Sequence, residues 1–174
     1  AKIFSVWSQS ELNAIGIYEV ITDSTNKKNE AWYINTNESY AFADNQVTRS
    51  WGTATAKAHA DTLFTAQDEI DGKGTEGEIK SRGLKYNLIQ NIKKQAAGIL
   101  QDTDWYITRK ADAGTAVPSA ITTHRAAVRT KAASQETQIT NAADTPALET
   151  LYTYTEQEDG SITRPLGELP RLES

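Results

Sequence analysis

The aromatic side chains are concentrated at one end of the chain, and this uneven distribution constrains the fold more than any other sequence feature. Three of the four Trp residues and three of the seven Tyr residues lie between positions 7 and 51. After about residue 54 the chain is rich in Ala, Thr, Gln and Lys, with apolar residues at three- and four-residue steps. The sequence therefore predicts an aromatic-cored first part and a helical second part.

Residues 1–53 are predicted to form a small antiparallel β-rich domain. Aromatic and β-branched runs at residues 17–21, 30–35 and 46–51 alternate with polar turns, which is typical of strands. Before them, Ser8 and Glu11 have the spacing of a capping box and predict a short helix. We expect the strands to form a meander.

Residues 54–77 are predicted to form a helix followed by a glycine-rich hinge. A weak helical stripe runs from residue 54 to residue 70, and Gly72, Gly74 and Gly77 follow it. These glycines match the pattern G-x-G-x-x-G, but a dinucleotide site needs that pattern directly after a buried apolar strand. Here it follows a polar helix end, so we expect a flexible hinge.

Residues 78–155 are predicted to form a helical hairpin domain. The expected helices cover residues 78–100 and 118–143, with an apolar plug at residues 105–107 and a loop between them. Residues 156–174 contain two prolines and are expected to be a partly extended C-terminal arm, either ordered against a partner or frayed. The predicted fold class is α+β.

The charge and composition argue against several functional classes. The net charge of −5 makes nucleic acid an unfavourable partner. There is no Cys, and His59 and His124 are far apart in sequence, so we expect no metal site, cofactor or catalytic centre. Ala1–Ser5 do not begin an apolar run of the length found in signal peptides, and no segment is apolar enough to span a membrane. We therefore expect a soluble protein made in the cytoplasm.

Two segments resemble a protein family. The longer one lies between Ile92 and Ile139 and contains Leu100-Gln101-Asp102-Thr103-Asp104-Trp105, then His124-Arg125-Ala126-Ala127-Val128-Arg129. It resembles the C-terminal hairpin of bacteriophage tail assembly chaperones and related proteins encoded beside tail-fibre genes. Residues 7–20, with Trp7-Ser8, Glu11-Leu12 and Gly16-Ile17-Tyr18, are similar to the small domain that often precedes it. His124 departs from the pattern, which usually has Tyr there, and the glycine-rich segment and the arm are not standard parts.

The resemblance implies a non-enzymatic structural or connector protein in the virion tail, at the fibre attachment or the baseplate. Its partners would be other phage tail or fibre proteins, and a homo-oligomer is left open. The alternative is a tail or tail-fibre assembly chaperone, made in the host cytoplasm and absent from the mature particle. A small hydrolase or carbohydrate-binding module is a third hypothesis from a different class.

Seven residues are candidates for a structural or interaction role: Trp7, Trp32, Trp51, Asp104, Trp105, Arg125 and Arg129. We expect Trp105 to bury a large apolar face against the hairpin. Arg125 and Arg129 are one helical turn apart and can pair with Asp102 or Asp104. All four can equally be parts of the scaffold, with exposed apolar patches elsewhere carrying the function.

Overall fold

A computed structural model of the chain describes residues 6–172, and it confirms the α+β class. The expectation for residues 1–5 lies outside the described part. The chain divides into two compact units between Lys57 and Ala58, called here the N-terminal unit and the C-terminal unit.

The N-terminal unit contains one short helix and five strands. They are α1 (Gln9–Asn13), β1 (Val20–Thr22), β2 (Tyr33–Ile34), β3 (Ser39–Ala43), β4 (Gln46–Ser50) and β5 (Thr55–Ala56). The strands form a three-stranded sheet of order β1-β4-β3 and a β2–β5 pair. The predicted capping box of α1 is present, since the Glu11 backbone N–H donates to the Ser8 side chain and the Glu11 carboxylate accepts from the Ser8 backbone N–H. Because β5 pairs with β2, the N-terminal unit extends past the expected boundary at residue 53.

The expected antiparallel meander is wrong for one strand, because β1 pairs with β4 in parallel. Strands β3 and β4 do form an antiparallel hairpin, turning at Asp44 and Asn45, which both have positive φ. A two-residue turn can join only antiparallel neighbours, whereas the long connection between β1 and β4, which contains β2 and β3, also allows a parallel arrangement. The sequence pattern therefore indicated the strands but not their pairing.

The C-terminal unit is mainly helical. Its elements are β6 (Thr62–Leu63), α2 (Ala66–Ile70), β7 (Ile79–Ser81), α3 (Leu84–Gln101), α4 (Asp104–Ala113), α5 (Ser119–Asn141), α6 (Thr145–Tyr152), β8 (Thr155–Glu156) and β9 (Ile162–Thr163). Strands β6 and β7 pair antiparallel, as do β8 and β9. As predicted, Pro146 lies in the first turn of a short helix, which Asp144 caps.

Only the last part of the helix expected at residues 54–70 is present, and the glycine-rich segment after it is not an open hinge. Two short strands, β5 and β6, lie within the segment of the predicted helix, and only α2 at its end is helical. The end of the glycine-rich segment is hydrogen-bonded to the backbone of Phe64. The Phe64 N–H donates to the Glu78 carbonyl, and the Gly77 N–H donates to the Phe64 carbonyl. A Cβ at Gly74 would lie 2.5 Å from the Phe64 ring, so glycine is needed there for close packing. The glycines therefore allow a closed turn instead of a hinge.

The apolar plug expected at residues 105–107 is also not present, because it lies within helix α4, and the expected loop is confined to residues 114–118. Asp104 lies in the first turn of α4, where its charge suits the helix dipole, and Gly114 ends the helix at a φ of 69°. Trp105 is 51% exposed, so it does not bury the large face that we expected. A third helix therefore connects the two long helices of the hairpin.

Helix α5 forms the centre of the C-terminal unit. Its residues Val128 and Ile139 are fully buried, together with Leu148 of α6 and Leu166 of the C-terminal arm. The Gln135 amide, also buried, donates to the Gly167 carbonyl at 2.9 Å. The arm, for which the sequence left two states open, therefore packs against helices of its own chain.

We expect Ile139→Ala to lower the free energy of unfolding of the C-terminal unit by about 2–5 kcal/mol, since it opens a cavity at a fully buried position. The matched control is Ile70→Ala, which removes the same atoms from a side chain that is 78% exposed, and its effect should stay within about 0.5 kcal/mol. Urea unfolding followed by far-UV circular dichroism measures both. Equal effects of the two substitutions would contradict the assigned core.

Asp68 should make the β6–α2–β7 segment sensitive to acid. The Lys80 ammonium at 2.8 Å, with the Thr65 N–H, lowers the pKa of the Asp68 carboxyl to about 2. A lowered pKa in the folded state stabilises it above the ordinary Asp pKa, and this contribution is lost as the pH falls from about 4 towards 2. The difference in urea midpoint between the wild type and Asp68→Asn should therefore be present near neutral pH and shrink over that range. A difference independent of pH would refute this role of the Asp68 charge.

Candidate interaction surface

One face of the three-stranded sheet in the N-terminal unit is apolar and exposed. The strand register places Val20, Val47 and Phe42 in one row across the sheet, and Thr22, Arg49 and Tyr40 in the next. Directly opposed residues point to the same side of a sheet, so these six residues form one surface, called here the sheet face. Val20, Tyr40 and Phe42 are each more than half exposed.

The sheet face is exposed because the core of this unit lies elsewhere. Its buried apolar side chains are Trp32, Tyr33 and Trp51, which are 6–8% exposed. Eight large apolar residues between positions 6 and 57 are instead exposed: Val6, Ile15, Ile17, Val20, Ile21, Ile34, Tyr40 and Phe42. A unit that exposes more large apolar side chains than it buries presents a surface suited to contact with another protein.

The charge on the sheet face is compensated within the N-terminal unit. The Arg49 guanidinium is hydrogen-bonded to the Glu38 carboxylate and lies 4.7 Å from the centre of the Trp51 ring. The hydrogen bond from Arg49 lowers the pKa of Glu38, and the same contact raises the pKa of Arg49. The Tyr18 ring packs against Phe42 at 4.5 Å. The sheet face is therefore predominantly apolar, with its cation already paired.

Of the three Trp candidates in this unit, Trp32 and Trp51 are buried and serve the scaffold, and Trp7 is partly buried. The exposed aromatic residues, Tyr40 and Phe42, were not among the sequence candidates. Their two-residue spacing on a strand was the signal that could have identified them.

In the C-terminal unit, Arg125 and Asp104 are brought together as predicted. One Arg125 Nη atom donates to the Leu100 carbonyl and to the Thr103 hydroxyl, each at 2.7 Å. The other Nη atom of Arg125 lies 2.8 Å from a carboxylate oxygen of Asp104. Arg125 is buried while the Asp104 side chain is exposed. The guanidinium therefore holds α5 to the corner between α3 and α4.

Trp105 and Arg129 do not join this cluster. The Arg109 guanidinium lies over the exposed Trp105 ring, and its central carbon is 4.6 Å from the ring centre. Arg129 is exposed and forms no ion pair with a carboxylate of residues 6–172. The motif that carries the family resemblance is thus divided between an ion pair whose arginine is buried and two exposed side chains.

A groove of about 720 Å³ runs between α3 and the C-terminal arm. Its lining includes Lys94, Gly98, Ile99, Asp102, Leu169 and Arg171. A smaller pocket of about 350 Å³ lies next to the groove and shares Ile99, Asp102 and Arg171 with it. His124 also lines this smaller pocket. This groove was not identified from the sequence, because the arm that forms one wall was expected to be loosely packed.

Comparisons with protein families, with curated proteins and with solved structures give no match to this chain. The family suggested by the two sequence segments therefore stays a prediction. In the described part of the chain, no group of three or more His, Asp or Glu side chains is arranged to hold a metal ion. A helix with the length and hydropathy of a bilayer span is not found among residues 6–172.

We expect Arg125→Ala to be far more destabilising than Asp104→Ala. Removing the buried guanidinium leaves the Leu100 carbonyl and Thr103 hydroxyl without their charged donor and should lower the free energy of unfolding by about 3 kcal/mol. Removing the exposed Asp104 carboxylate should cost about 1 kcal/mol or less. Urea unfolding of both variants measures the difference. Similar losses would show that the ion pair, instead of the buried hydrogen bonds, carries the stabilisation.

Proposed function

We propose that this protein is a non-enzymatic, phage tail-associated structural or connector protein that acts by docking to other virion proteins in the tail, at the fibre attachment or at the baseplate. The family resemblance of residues 7–20 and 92–139 supports the phage context. The sheet face supports the docking, and it is the observation on which the proposal depends.

The energetic argument starts from the exposed apolar side chains. Complete burial of a side chain such as Phe or Val contributes about 1.5–3 kcal/mol relative to exposure. Association costs about 4–15 kcal/mol in lost freedom of motion, so several such side chains must be buried together. Val20, Tyr40 and Phe42 lie on one face and can be covered by a single partner.

The backbone of the same sheet offers a second means of contact. Strands β1 and β3 are the outer strands of the β1-β4-β3 order. An outer strand has unpaired N–H and carbonyl groups along one side, to which a strand of a partner can add. A partner can therefore bind through the side chains of the sheet face and through backbone hydrogen bonds at its edge.

We expect Tyr40→Thr with Phe42→Thr to prevent incorporation of the protein into particles. Both substitutions place a β-branched residue, which favours the strand conformation, where the aromatic surface was. The matched control is Ile70→Thr with Ile79→Thr, which removes two exposed apolar side chains from the C-terminal unit. Gradient-purified particles of the phage that encodes the protein would be analysed by mass spectrometry, with copy number measured against the major tail protein.

In the wild type, we expect a fixed copy number in a multiple of three or six, as symmetric tail structures require. The control variant should retain that number and the sheet-face variant should lose it, while circular dichroism shows that both are folded. Absence of the wild-type protein from mature particles, with presence in lysates of infected cells, would instead favour the assembly chaperone. Normal incorporation of the sheet-face variant would contradict docking through this surface.

A further inference from the structure

The C-terminal unit carries a groove and an acidic hairpin next to each other, and their chemistry is complementary. The groove lies between α3 and the C-terminal arm, and Tyr154 is part of its lining. The next residue begins the β8–β9 hairpin, residues 155–163, which is exposed along its whole length and is called here the acidic hairpin. The two features therefore belong to one continuous surface of the unit.

Two cations on the groove have no ion-pair partner among the described residues. They are Lys94 on α3 and Arg171 on the arm, and Asp102 is the one unpaired carboxylate on the lining. Glu168 also lines the groove, but its carboxylate is bound by Arg164 at 2.8 Å and by the Tyr154 hydroxyl at 2.7 Å. The groove therefore keeps an excess of positive charge, although the whole chain has a net charge of −5.

The acidic hairpin has the opposite character. Glu156 and Glu158 are exposed and pair with no described cation, and Ile162, opposite Glu156 in the register, is 68% exposed. The turn is already ordered, since the Gln157 N–H donates to the Ser161 carbonyl at 2.8 Å and the Asp159 carboxylate accepts from the Ser161 N–H. An ordered segment loses little conformational entropy when it binds.

We propose that the groove receives the acidic hairpin of a second copy of this chain, forming a two-fold dimer. Glu156 and Glu158 would contact Lys94 and Arg171, and Ile162 would lie on the apolar floor formed by Gly98, Ile99 and Leu169. If one hairpin enters the groove of the other copy, two-fold symmetry makes the contact reciprocal, and because groove and hairpin are adjacent on one chain both contacts can form in one closed interface. This proposal goes beyond the docking role proposed above and uses a different surface.

The His124 imidazole lies beside the groove, in the smaller pocket next to it. His124 is 8% exposed, lines the smaller pocket, and has no hydrogen-bond partner among the described residues.

Analytical ultracentrifugation of the full chain tests the dimer by charge reversal. Lys94→Glu with Arg171→Glu reverses the groove, and Glu156→Lys with Glu158→Lys reverses the hairpin. Each variant alone should have a dimer dissociation constant at least about tenfold higher than the wild type, and an equimolar mixture should recover a heterodimer. The dissociation constant of the wild type should rise with salt, since exposed charges are screened.

The matched control is Lys73→Glu with Lys110→Glu, which makes the same charge change outside the groove and should leave the dimer unchanged. A wild type that stays monomeric up to about 100 µM would overturn the proposal, as would a groove variant that dimerises normally or a mixture without recovery. If the Tyr40→Thr, Phe42→Thr variant lost self-association and the groove and hairpin variants did not, the groove dimer would be refuted. Docking through the sheet face would not be contradicted by that result. Conversely, an intact groove dimer with no incorporation into particles would reject the proposed function alone.

Discussion

The packing of helix α5 is the constraint on which the C-terminal unit depends. Its buried residues contact α3 on one side, α6 and the arm on another, and the fully buried Val128 and Ile139 mark the centre of this packing. Polar side chains of the same helix then fix its neighbours: Arg125 holds the corner between α3 and α4, and Gln135 holds the arm. An arrangement that broke these hydrogen bonds would leave buried donors unpaired, so the bonds favour one arrangement of the elements around α5.

The N-terminal unit is organised differently, and the difference bears on function. Its core consists of a few large aromatic side chains, and with no Cys in the chain it has no disulfide to supplement that core. A unit of this size gains limited stability from burial alone, so contact with another protein would also contribute to its stability. In our proposal the sheet face binds other virion proteins, and the groove and acidic hairpin of the C-terminal unit join two copies of the chain.

The candidate residues show how far sequence reasoning could reach toward the site. The ion pair of Arg125 with Asp104 was predicted because both residues belong to one motif near the helix ends. Trp105 was misplaced because a large aromatic residue was expected to be buried, whereas α4 directs it toward solvent. The sheet face was missed because the exposure of Tyr40 and Phe42 depends on where Trp32 and Trp51 pack. The groove was missed because its walls are far apart in sequence.

The sequence by itself determined the α+β class, the change from strands to helices, the capping box of α1, and the long helices near α3 and α5. These features depend on local periodicity and on side chains a few residues apart. Only the tertiary structure decided that β1 lies parallel to β4, that the glycine-rich segment closes around Phe64, and that Leu166 anchors the arm. Each of these depends on a contact between distant segments, whose free energy is set by the partner surface and not by the local sequence.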